Sequence, residues 1–478
     1  MKHLLDLLFP LSFLLIFLSS CSTPKGDVLI KNITTIDAIN GMKENQNVLI
    51  TGNRITAILD SSDGLTAQTS IDGKGKFMIP GLWDAHVHLT FEEEIEEHMF
   101  DLFIANGITS IRDTGGQIED LVRLKKEAAA EPKYRPRVKI AGPLIDGSPR
   151  VYDGHRAGVP DISKEISTPE EARETVAMLA EAGVDLIKAY EMLTPELFEA
   201  VVDEATKHKL KVTGHIPLQM TVHQASDMGM ASVEHMRNLE MSMVEGAGDK
   251  VKERVAIVNA SKDSLGYPLR SRMHNMYRFS SLDGITKHGN QSVLNALNKN
   301  QTWQIPTLAL VLSFELLPWS DQKWKETFRF LPEATRTQWL EDTKGMVDVP
   351  ISQNQQNYMD WATAMIPAFV ENDIPVMAGT DCPIFFLTPG FSLHRELEVL
   401  VERAGLDPIE AIKTATYNPA LYFDIEDDLG TIETGKIADL LILHANPLDN
   451  IRNTTTIHTV IKDGYVHDRT DLDSLLEM

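Results

Sequence analysis

The chain has 478 residues, 43% hydrophobic and 24% charged, enough to bury a large core in two or three domains or one large barrel. Lys and Arg number 45 against 69 Asp and Glu, a formal net charge of −24. Such a surface repels phosphate backbones, which argues against a nucleic-acid partner, and the excess acid is read as serving solubility.

Residues 1–20 read as an export signal outside the fold. Lys2 and His3 open it, and Leu7 to Leu18 form an apolar stretch too short to span a bilayer comfortably. Leu18-Ser19-Ser20-Cys21 follows and resembles the lipobox of bacterial lipoproteins, in which the cysteine is acylated and becomes the mature N-terminus. The resemblance implies an exported lipoprotein, facing the periplasm or the cell surface and anchored to a membrane through Cys21. The other cysteine is Cys382, so no intramolecular disulfide is expected.

Residues 22–26 read as a short tether. From Asp27 to about Ile79 short β-like runs (Val28 to Ile30, Ile33 to Ile36, Asn47 to Ile50, Arg54 to Leu59) alternate with turns at Asn40-Gly41, Gly52-Asn53 and Asp63-Gly64. From Pro80 to about Phe423 strands alternate with helical stretches. The strands are Gly81 to His88, Thr109 to Asp113, Arg137 to Ala141 and Asp185 to Tyr190, then Lys211 to His215, Ser232 to His235, Gln304 to Leu308 and Pro375 to Thr380. Helices are expected over Thr168 to Ala182 and Pro195 to His208. Eight such units predict an α/β fold, a distorted (β/α)₈ barrel over 80–423. Two segments look inserted, Asn238 to Asn300, polar and Met-rich, and Ser313 to Tyr358, helical with three Trp. After the barrel the β pattern returns through Gly430 to Glu433, Gly435 to Leu443, Thr459 to Lys462 and Tyr465-Val466. Residues 27–79 and 424–470 are therefore expected to pair into one composite β-sandwich.

The chemistry concentrates at the strand ends. In Asp84-Ala85-His86-Val87-His88, residues two apart project to one side of a strand, so both imidazoles can reach one divalent ion. Lys188, His215, His235 and Asp381 each end a later strand, and the C-terminal strand ends of such a barrel face its catalytic mouth.

This order of His-x-His, Lys, His, His and Asp resembles the amidohydrolase superfamily. So do Met78-Ile79-Pro80-Gly81-Leu82-Trp83-Asp84-Ala85-His86-Val87-His88, Ala378-Gly379-Thr380-Asp381, Asn418-Pro419-Ala420, Leu429-Gly430-Thr431-Ile432 and Gly435-Lys436-Ile437-Ala438-Asp439-Leu440. Within the superfamily the chain most resembles the imidazolonepropionase-like, prolidase-related group that cleaves Xaa-Pro and related dipeptides. The resemblance implies that His86, His88 and Asp381 hold a more buried metal and that His215 and His235 hold a more exposed one. Lys188 would bridge both as a carbamate formed with CO₂. Zinc suits this donor set, and manganese or cobalt are alternatives. Asp381 would shuttle the proton of the attacking water to the leaving nitrogen.

Tyr190 and His155 sit where this group is expected to touch substrate. Tyr190 is expected to donate to the carbonyl oxygen, and His155 or Arg237 to meet a carboxylate. Met236-Arg237 departs from the group, where a small residue is commoner. His223 and His394 read as surface or packing residues, and Cys382 as a small buried thiol. The leading function is hydrolysis of C–N bonds in dipeptides such as Xaa-Pro or in N-acyl amino acids. Alternatives are a mononuclear deaminase or cyclic-amide hydrolase, a lactonase or phosphotriesterase, and a non-catalytic lipid-tethered binding protein. The expected partners are a small-molecule substrate and a membrane, with homo-oligomerisation left open.

Overall fold

The computed structural model describes residues 25–96, 98–156, 158–261, 264–346 and 350–477; the export signal and Cys21 lie outside the described residues. The first strands are β1 (Lys25–Asp37), β2 (Gly41–Thr51), β3 (Arg54–Leu59), β4 (Thr66–Asp72) and β5 (Phe77–Pro80). The two apolar runs at Val28 and Ile33 belong to one strand, kinked where Asn32 takes a positive φ of 55° and the register slips. β4 was not foreseen, because its mostly exposed residues carry little apolar alternation.

β1 pairs with β2 antiparallel and with both β4 and β5 parallel. At the other end of the chain lie β17 (Leu440–Leu443), β18 (Ile457–Lys462) and β19 (Tyr465–His467). β17 runs antiparallel to β5, joining both termini in one eight-stranded sheet. The sheet turns back on itself, since Ile55 N donates to Lys436 O and Arg54 bridges Ile437. It encloses Val28, Ile30, Ile33, Val48, Ile50, Met78, Leu440, Ile442 and Ile461 as a core of its own. Residues 430–439 form turns and bridges rather than the expected strands.

The barrel begins with β6 (Leu82–Val87), β7 (Ile108–Asp113) and β8 (Arg137–Ile140), which run parallel. Next come β9 (Leu144–Asp146), the hairpin of β10 (Asp153–Arg156) and β11 (Val159–Asp161), and the edge strand β12 (Ser163–Glu165). β13 (Leu186–Ala189), β14 (Lys211–Gly214), β15 (Met230–Glu234) and β16 (Trp303–Ile305) complete a second parallel sheet. The expected eighth strand is not regular. Its segment still closes the ring, with Gln304 N donating to Pro375 O, Met377 N to Gln304 O, Ala85 N to Ala378 O and Asp381 N to His86 O.

The outer helices start where the sequence sets caps. Thr168 and Thr194 each accept a backbone N–H three residues on, ahead of Pro at the first helical position of Pro169–Ala182 and Pro195–Lys207. The Met-rich insert forms helices, the longest being Ala247–Ala260, Gly266–Leu282 and Lys287–Lys299. The second insert contributes Glu333–Gly345 and leads into Gln353–Glu371, with Trp319, Trp324 and Trp339 all buried.

Candidate metal centre and substrate cavity

The six strand-end residues meet. β6 carries His86 and leads into His88, β13 carries Lys188, β14 leads into His215, and β15 leads into His235. Asp381 follows the irregular closing segment, and all six side chains are nearly or fully buried. Two glycines permit the approach. A Cβ on Gly214, beside His215, would stand 1.9 Å from the Ala189 carbonyl oxygen, and one on Gly379 would stand 2.7 Å from His86 Cβ. His235 and Asp381 themselves take positive φ values of 63° and 68°, strain of a kind that clusters at functional sites.

Each imidazole is held by its Nδ1. His86 Nδ1 donates to Glu234 Oε2 at 2.6 Å, His88 Nδ1 to the Gly115 carbonyl at 2.9 Å and His215 Nδ1 to Glu191 Oε1 at 2.5 Å. His235 Nδ1 lies 2.7 Å from Thr307 Oγ1. A neutral imidazole that donates from Nδ1 keeps a lone pair on Nε2. The Nε2 atoms of His86, His88 and His235 lie 3.0, 3.1 and 3.8 Å from Asp381 carboxylate oxygens. The buried atoms His86 Nε2, Asp381 Oδ1 and Lys188 Nζ have no hydrogen-bond partner. Among the described residues, His86, His88 and Asp381 bring three ligand atoms within 4.8 Å of one another. Convergent imidazole lone pairs and a carboxylate, each ring backed by an oxygen, are the donor set that a divalent cation satisfies.

Electrostatics agree with that reading. Burial pushes Lys188 down to about 8 and His215 down to about 4. Burial also works to raise the Asp381 carboxyl, but His235 and His86 outweigh it and hold it well below the usual range. Behind His86, Glu234 is likewise held ionised against burial by Arg112, whose Nη2 donates to it at 2.9 Å, and by Lys188 and His86.

The residues that sequence reading missed stand one layer out. Glu191, fully buried, receives His215 on Oε1 and His274 Nε2 on Oε2 at 2.5 Å; Arg270 Nε and Arg237 Nη1 approach Oε1 at 3.3 and 3.6 Å. Burial works to raise this carboxyl, but His274 and Arg270 outweigh it and leave it well below the usual range. Arg270 and His274 come from the insert helix Gly266–Leu282, four residues apart and so on one face. That spacing was visible in the sequence, but where the helix docks was not.

Tyr190 is buried against His215, ring centroids 4.5 Å apart, and Arg237 borders the metal ligands. His155 does not join them. It lies on the β10 hairpin with its side chain 71% exposed and its Nδ1 3.3 Å from Asp153, outside the residues that line the cavity. Of the residues read as packing, His394 and Cys382 are buried and His223 bonds Ser292. The ligand cluster surrounds a void of about 30 Å³. This void adjoins a cavity of about 830 Å³ and shares His235, Arg237, Arg270 and Asp381 with it as walls.

Comparison with known proteins agrees with this architecture. The model of the amidohydrolase family matches residues 77–259 and 332–466. An imidazolonepropionase of Caldanaerobacter subterraneus subsp. tengcongensis is 22% identical over 461 residues, 92% of this chain and 97% of that protein. An adenine deaminase of Thermosipho africanus is 38% identical over 85 residues, 18% of this chain and only 14% of the deaminase. The crystal structure of a Xaa-Pro dipeptidase with bound methionine superposes with a TM-score of 0.65 at 20% identity, covering 92% of this chain and 99% of that one. The chain belongs to the amidohydrolase family, hydrolases of carbon–nitrogen bonds that generally use divalent metals.

Proposed function

We propose that the chain is a binuclear amidohydrolase that cleaves the amide bond of a dipeptide such as Xaa-Pro or of an N-acyl amino acid. The observation that carries this is the set of four imidazoles pinned at Nδ1 around the unpartnered Asp381 Oδ1 and Lys188 Nζ. The residues fit two ions. His86, His88 and Asp381 would hold one, His215 and His235 the other, and Lys188 as a carbamate would bridge them, with zinc suited to the donors and manganese or cobalt as alternatives. When bound, the ions would lower the pKa of a water into the neutral range and polarise the scissile carbonyl.

The chain's own groups account for the rest. Asp381, held ionised, takes a proton from the attacking water and hands it to the leaving nitrogen as the C–N bond breaks. The water's oxygen stays on the acyl carbon, so the products are a carboxylic acid and a free amine. Tyr190, raised well above its usual range chiefly by burial, stays protonated and available to donate to the carbonyl oxygen. The amine of Lys188, eased toward its neutral form by burial, is the species that adds CO₂. The dipeptidase and imidazolonepropionase relatives, both named for substrates with C–N bonds, support this reading. It includes export and anchoring through a lipid on Cys21. Metal content and hydrolysis of Xaa-Pro and N-acyl libraries, measured on one purified sample of residues 22–478, test it. About two equivalents of metal with release of one amino acid is the expected result; no metal and no amide cleavage would overturn it.

A further inference from the structure

The metal ligands occupy one end of a cavity much larger than their own space. At about 830 Å³ it falls in the upper part of the range, roughly 300–1,000 Å³, of sites that enclose drug-sized ligands. Its ends differ in chemistry. Arg237 and Arg270 stand at the metal end. Glu191 faces both guanidinium groups and offsets one of their charges. One positive charge is left beside the ligand cluster, in a wall whose Arg270 is only 9% exposed. Such a site suits a carboxylate.

The remaining wall joins an aromatic and apolar surface to a charged rim of Glu92, Glu94, Arg278 and Asp342. Phe314, Trp339, Tyr358, Met359, Phe385 and Phe386 line it. Phe385 and Phe386 both hold positive φ values, 53° and 62°, rarely adopted by bulky residues. Trp324 Nε1 donates to the Phe386 carbonyl at 2.9 Å, and Phe386 packs edge-on against Trp339 with ring centroids 5.6 Å apart. The fold thus holds a strained pair of phenylalanines, four and five residues beyond Asp381, against this cavity. Phe314 and Phe385, 6.2 Å apart, remain 40% and 44% exposed, an apolar surface that a small dipeptide leaves largely uncovered.

Resting on the amide-hydrolase reading above, we propose that the substrate is an N-acyl amino acid whose acyl group is large and apolar. Its carboxylate lies at Arg237 and Arg270, its amide at the metal ligands, and its acyl group against the aromatic wall. The bond broken is the acyl C–N bond. Water supplies the oxygen that ends on the released acid and the hydrogen that ends on the free amino acid.

The metal-loaded enzyme is assayed with N-acetyl, N-octanoyl and N-lauroyl derivatives of one amino acid, their carboxamide-capped counterparts, and dipeptides with a free ammonium group. kcat/KM is expected to rise from acetyl to lauroyl by at least about tenfold, since two newly buried methylenes suffice for that. Arg237→Met is expected to raise KM for the acids by about tenfold, and by more than for the carboxamides. Ala334→Trp, at an exposed position on the cavity wall, is expected to lower the lauroyl-to-acetyl ratio. Equal or better cleavage of the acetyl derivative overturns this proposal while leaving the amide-hydrolase reading intact. So does a preference for free dipeptides, whose ammonium group Glu92 and Asp342 on the same wall would receive. No cleavage of any amide in the panel overturns that reading, and this proposal with it.

Discussion

The oxygen behind each imidazole decides which nitrogen it offers to the centre of the site. Glu191 does this for His215 while also receiving His274 and Arg270. Glu191→Gln keeps the size but removes the charge that orients His215, so metal affinity is expected to fall about 10–100-fold, read by competition with a chelator. Asp381→Asn retains a similar shape but no longer accepts a proton. Turnover is expected to fall by about 10²–10⁴-fold, with circular dichroism unchanged; substantial residual activity would remove its shuttle role. Lys188→Ala takes away the bridging amine, and the expected outcome is fewer than two metal equivalents and partial rescue by an added small carboxylate. Two equivalents without such an addition would rule out the carbamate.

At the scale of elements, the strands that deliver these residues were readable because apolar runs ended in His, Lys or Asp at matching places. Seven of the eight expected barrel strands form, six of them within a residue or two at their ends, while the one expected to run to Leu308 stops at Ile305. The eighth is an irregular path held by isolated bridges, Gln304 to Val376 and Val87 to Cys382, which an apolar run cannot distinguish from a strand. The insert helices were readable as helices at most. Their contribution of Arg270, His274 and the aromatic wall depends on where they dock, which local periodicity does not encode. His394, expected to be a surface or packing residue, is a packing one. It joins the helix Phe391–Glu402 to its surroundings, with Nε2 donating to the Asn106 carbonyl and Nδ1 3.0 Å from Thr454 Oγ1. Burial lowers its pKa to about 4, below the unfolded value of about 6.5. Between those values the unfolded chain holds the extra proton, so stability is full above about pH 6.5 and is lost as pH falls toward 4, by about 3 kcal/mol in all. Urea midpoints against pH should show this slope in the parent chain and a flatter one in His394→Gln.

At the scale of the whole molecule, both termini contribute to one sheet, and the expected composite was readable from β patterning at the two ends. Its turning back through Arg54 and Ile437 was not, because those bridges lie in a segment of turns. No helix among the described residues is long and apolar enough to cross a membrane. The proposed lipoprotein reading places attachment at Cys21. Cys21→Ser is expected to move the protein from the membrane to the soluble fraction; retention in the membrane fraction would reject the lipid anchor.

The pairing of β5 with β17 also sets an order of events during synthesis. Ile79 and Leu441 lie side by side, yet almost the entire barrel is made between them. While the chain emerges, β5 has β1 on one side and an open edge on the other, and the enclosing core lacks Leu440, Ile442 and Ile461. Long-range pairing of this kind is slow, and the waiting edge invites self-association. The segment from Leu440 onward therefore acts as the clasp of the molecule, and a chain cut before Leu440 should collect in aggregates rather than yield a smaller working barrel.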